Sequence, residues 1–167
     1  MSENTIGSNP VFLTKISLGY CAEEDRIFIN GLTVDQCVLR CWVTQRLMNN
    51  MVPHIKEMNR GCSESEISTS SIDSSDDLSS NSSEPVVIET HHDEFLAVSV
   101  DITKRESDLM LSWKSDDHAA IFSMPMGQVG NWLEGVQTCY RRAQWPMAAW
   151  SSFTSDKVLG RTSVTVH

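Results

Sequence analysis

The sequence predicts an α+β fold: two βββα units forming a two-layer antiparallel sheet with two helices, interrupted by a disordered acidic Ser-rich linker. Three observations predict it. Apolar residues alternate with period two in three short runs, and a 3.6-residue period then takes over. The same order recurs in the second half of the chain. Between the halves lies a segment that carries the whole net charge.

The first unit is expected over residues 1–60. Residues 12–18 alternate, with Phe12, Ile16 and Leu18 on one side. Cys21 to Asp25 reads as an acidic turn, and residues 26–32 as a second strand. Its end stays open: Asn30-Gly31 is a type I′ turn signal, but Val34-Asp35-Gln36 also suits a reversal. Residues 37–43 form the third strand. Thr44 is placed to cap a helix whose stripe is Leu47, Met48, Met51, Val52, Ile55 and Met58. Pro53 inside that stripe removes a hydrogen bond and predicts a kink.

Residues 61–90 are expected to be the linker. The chain has 22 acids and 13 bases, a net charge of −9. From Gly61 to Glu94 there are nine acids and no Lys or Arg. The remainder therefore holds 22 − 9 = 13 acids against 13 bases, a balanced surface. Eleven serines fall between Ser63 and Ser83. Such a segment cannot bury enough apolar area to offset the entropy of ordering it. Its Ser74-Ser75-Asp76-Asp77 stretch suits an acid-directed kinase, and Val86-Val87-Ile88 is compatible with adding to a sheet edge.

The second unit, with a C-terminal aromatic segment, is expected over residues 91–153. Residues 95–102 alternate through Leu96, Val98, Val100 and Ile102, 108–114 through Leu109, Leu111 and Trp113, and 118–124 form a third strand. A helix then carries Val129, Trp132, Leu133, Val136, Tyr140 and Ala143, ending before Trp145-Pro146. An offset of 84–85 residues superposes the apolar positions of the halves, an internal repeat of pattern. Residues 154–167 are expected to be a flexible tail.

Candidate chemistry is sparse. There is no GxSxG, HExxH, P-loop or GxGxxG motif. His91-His92-Asp93-Glu94 is dense in metal-capable groups, but neighbours on an extended chain point to opposite faces. Gly127-Gln128-Val129-Gly130 has the spacing of a GXXG nucleic-acid loop without its basic residues. No half has the basic excess that phosphate binding needs, so no nucleic acid is expected. The longest apolar runs are only a few residues, so no membrane span is expected, and no cofactor or metal. The cysteines read as reduced, cytoplasmic thiols.

The expected function is a small cytoplasmic, non-catalytic protein-interaction module, an adaptor, chaperone-like binder or regulator. A protein partner is expected, with self-association as a second mode. The candidate partner-binding residues are Trp42, Trp145, Trp150 and Phe153. Trp42 qualifies if Leu39, Cys41 and Val43 face the helices, leaving Val38, Arg40 and Trp42 outside. The C-terminal aromatics suit either a contact for another chain or a flap closing the core. The rival is an enzyme or ligand-binding domain with a pocket between the halves, using Cys21, Cys37, Cys41 or His118.

Overall fold

The computed structural model describes residues 9–63, 93–151 and 163–167, with side chains omitted at 61–63. The strands are β1 (Val11–Cys21), β2 (Arg26–Thr33), β3 (Val38–Val43), β4 (Asp93–Leu96), β5 (Ser99–Lys104), β6 (Asp108–Lys114), β7 (Ala119–Pro125) and β8 (Ser163–Val166). The helices are α1 (Gln45–Ser63) and α2 (Val129–Ala143), with short 3₁₀ turns at Met126–Gln128 and Met147–Trp150. The fold is α+β, a mixed sheet of eight strands with two helices. The all-antiparallel expectation is corrected at two seams, because β1 pairs with β7, and β3 with β4, in parallel.

The strand order is β4-β3-β2-β1-β7-β6-β5-β8. Strands β4 and β5 stand six places apart, yet only Ala97 and Val98 separate them. Six strand spacings laid flat would be about 29 Å, while the short connection reaches only about 11 Å. The sheet must therefore curl until its ends approach. The backbone bonds agree: Ala97 N–H donates to Trp42 O on β3 (2.9 Å), and Val98 N–H donates to Lys114 O on β6 (2.8 Å). The single strand expected over residues 95–102 is thus two. The phase flips at the break: Phe95 and Ala97 are buried while Leu96 and Val98 are exposed, and beyond it Val100 and Ile102 are buried, so the even-numbered alternation of the sequence does not mark one face.

Pairing register puts Ile27, Ile29, Leu39, Cys41, Val43, Phe95, Val100, Ile102, Leu109, Leu111, Trp113, Ala120 and Met124 on one face, and all are buried. Both helices pack there. The α1 stripe foreseen from periodicity is buried at all six positions. Thr44 Oγ1 accepts the Leu47 N–H at 3.2 Å, the expected cap. Pro53 sits within α1, which stays helical from Gln45 to Ser63. That helix reaches across to β5 and β8, closing the mouth of the curl, while α2 lies on β1. Tyr140 on α2 donates to Asn49 Oδ1 on α1 at 2.7 Å.

Between the two candidate reversals after β2, the chain takes the second. Asn30 and Gly31 stay in the strand, and the turn comes at Val34–Gln36, where Gln36 has φ 63°. Gly31 is needed for another reason: a Cβ there would stand 2.5 Å from Leu13 Cδ1. Residues 163–166, expected in a loose tail, form β8 on the outer edge of β5. Val166 faces Val100 across that pairing and is buried. The linker reading falls almost wholly outside the described residues; its first three positions belong to α1.

The C-terminal aromatic segment folds back onto this core. Trp145 packs edge-on against Tyr20 (5.9 Å between ring centroids) and Tyr140 (5.2 Å), and Trp150 against Tyr140 (5.6 Å). Lys56 Nζ donates to Trp150 O at 2.6 Å and stands 5.8 Å from its ring centroid. Asp25, at the β1–β2 turn with φ 47°, receives both the Tyr20 hydroxyl (2.8 Å) and the Trp145 indole N–H (2.9 Å) on one oxygen.

Those two donors hold the Asp25 carboxyl below its ordinary value of 3.8. A depressed folded-state pKa contributes stability that is present above the unfolded pKa and is lost as pH falls through the folded one. Wild type should therefore lose thermal stability below about pH 4 more steeply than Asp25→Asn, which keeps an acceptor and tolerates the left-handed backbone. Melting temperatures from pH 7 to pH 2 check this. Parallel acid limbs would show that Asp25 contributes nothing.

Candidate interaction face

With both helices on the inner face, the outer face of the sheet carries none. Its side chains come from the opposite phase of each strand. On β4 these are Glu94 and Leu96; on β3, Val38, Arg40 and Trp42; on β2, Phe28, Asn30 and Leu32. Phe12 on β1 pairs with Ile121 on β7. On β5 and β8 the same face turns polar, with Asp101, Thr103, Ser163 and Thr165. Phe12 is 57% exposed and Leu96 37%, unusual for large apolar side chains in strands.

A stack is built into the apolar part. Trp42, Phe28 and Gly19 are cross-strand neighbours on β3, β2 and β1. The Phe28 ring lies over Gly19; a Cβ at residue 19 would stand 2.1 Å from Phe28 Cζ, so only glycine admits the ring. Phe28 meets Trp42 edge-on at 6.0 Å and 77°. The Arg40 guanidinium carbon sits 4.6 Å from the Phe28 centroid and 5.1 Å from that of Trp42, a cation over two rings. Arg40 Nε donates to Asn30 Oδ1 at 2.9 Å. Asn30 is 5% exposed, so the guanidinium is tethered to a buried amide. Trp42 Nε1 donates to Glu94 Oε2 at 3.1 Å.

The four candidate partner-binding residues are not brought together. Trp42 is half-buried on the outer face, in the phase that buries Leu39, Cys41 and Val43. Trp145 is 6% exposed on the inner side of the sheet, its ring and N–H both used within the core. Its burial matches the core-flap alternative of the sequence reading. Trp150 is half-buried beneath the same flap. Phe153 lies outside the described residues. Sequence reasoning missed Phe28, although its signal was there: an aromatic out of phase with Ile27 and Ile29 on a strand whose other phase is the core.

The groups named for catalysis are scattered. Cys41 is buried, and desolvation pushes its thiol far above the reactive range. Cys37 is exposed in a turn, and its Sγ lies 3.9 Å from Asp35 O. His118 sits in the β6–β7 turn and stacks on Phe95 with centroids 5.6 Å apart. Its backbone N–H is taken by Ser115 Oγ. A depression among Pro53, Lys56, Glu57, Arg60, Ala149 and Ser151 measures about 20 Å³, room for a single water. Among the described residues no three His, Cys, Asp or Glu side chains converge as a metal site. His91 and His92 lie outside them. No described helix is long and apolar enough to cross a membrane. Comparison with protein-family models, with curated proteins and with solved structures found no match.

Proposed function

We propose that the protein is a small, non-catalytic, cytoplasmic interaction module that binds a protein partner, or a second copy of itself, through the helix-free face of its sheet around Trp42. One observation carries this reading: an aromatic and apolar patch, Phe28, Trp42 and Leu96, stands on the side of the sheet that neither helix covers, with Phe12 exposed on the same face farther along β1. Solvated sheet faces ordinarily alternate to polar residues, as the β5–β8 end of this one does. Aromatic side chains beside an arginine are the usual anchors of protein interfaces. We further read the chain as two βββα units, β1-β2-β3-α1 and β5-β6-β7-α2. The β3-β2-β1 order recurring as β7-β6-β5 across the parallel β1–β7 seam supports it.

A photoreactive phenylalanine analogue at position 12 or 96 should cross-link the partner in native extract, and the same analogue at Glu134, exposed on α2, should not. Trp42→Ala should weaken the captured interaction about thirtyfold while melting close to wild type. Cross-links confined to the helix side would overturn the assignment of the face.

A further inference from the structure

Arg40 is held more firmly than a surface arginine needs to be. Its Nε is tethered to the buried Asn30 amide, its plane rests on Phe28 and Trp42, and Phe28 rests in turn on Gly19. Long cationic side chains ordinarily lose rotamer freedom when they bind, and this one has lost it already. Its Nη groups have no acceptor among the described residues. Glu94, its neighbour in register on β4, accepts instead from the Trp42 indole. The other basic groups of this face are engaged: Lys114 by Asp101, Arg26 by Glu24, and Lys15 by a partner of its own.

We propose that Arg40 is the anion-capturing centre of this face and that its partner is an acidic peptide segment. A carboxylate accepts from the free Nη fork, and flanking apolar side chains lie on Trp42 and Leu96. This rests on the reading of the outer face as the docking surface and specifies what docks there. The guanidinium fork fits the two oxygens of a single carboxylate, and among the described residues Arg40 forms no ion pair. The aromatic bed supplies contact area that a bare carboxylate would not use.

The test is fluorescence anisotropy with the full chain. The probe is a labelled decapeptide holding two leucines among aspartates, beside a twin with every aspartate replaced by asparagine. Wild type should bind the acidic peptide, more weakly as salt rises. The asparagine twin, and Arg40→Gln with the acidic peptide, should each bind about tenfold more weakly or worse. Arg40→Lys should fall between, since an ammonium keeps the charge and loses the fork. Should Arg40→Gln fail to fold, the two peptides on wild type and the Arg40→Lys variant still decide. Equal binding of the twins, abolished by Trp42→Ala, would overturn the carboxylate and leave the docking face standing. No binding of the acidic peptide would overturn the inference. So would a wild-type dimer in sedimentation that Arg40→Gln dissolves, which would give the seat to a second copy.

Discussion

Trp145→Ala should destabilise the fold by about 3–5 kcal/mol, the range for truncating a buried large aromatic. The expected loss has three parts. The indole is 6% exposed, so its removal leaves a cavity beside Tyr20 and Tyr140. Two edge-to-face ring contacts disappear with it. The N–H that Asp25 accepts is also gone, and the hairpin turn loses its tie to the C-terminal flap. Chemical denaturation with an unchanged m-value would confirm the size and place the effect in the native state. Trp42→Ala makes the contrast, because its ring lies on the outer face and shields no core. If the two substitutions cost the same stability, the division into a core flap and an outer interaction face fails.

Val166→Asp should cost about 3 kcal/mol or more, the penalty of an unpaired charge forced into a packed interior. Val166 is 7% exposed and sits opposite Val100, which itself pairs with Trp113. Among the described residues, Lys114 of the neighbouring strand β6 lies on the other face, bound to Asp101. Ser163→Asp, on the outer phase of the same strand, should cost under about 1 kcal/mol, as surface substitutions do. The pair reads out β8 specifically, since both positions lie within four residues and differ only in phase. Equal, small effects from both would mean that this strand does not dock on β5.

How much of this was legible depends on the range over which each signal acts. The sequence determined the class of fold, six alternating runs (one of which folds as two strands), both helices and their buried stripes. Each of these follows from contacts between residues a few positions apart: period two, period 3.6, a threonine cap before Leu47, a proline after Trp145. The phase of β3 is conditional in the sequence, and the structure settles it with Leu39, Cys41 and Val43 buried. Phe28 was legible by the same parity, as the aromatic that Gly19 and the outer phase make room for. The tertiary structure decided the rest, because the deciding partners are far apart in the chain. Alternation from Phe95 to Ile102 cannot show that its first half belongs beside β3 and its second beside β6. The four residues of β8 hold too few apolar positions to announce a strand, and only the open edge of β5 makes them one. The two C-terminal tryptophans could have closed the core or met another chain. The choice came from Tyr140 and Asp25, the latter 120 residues away from Trp145. Parity along a strand says which side chains share a face. Only the curl of the assembled sheet says which face the helices fill and which one, with Arg40 seated on its two rings, is left to solvent.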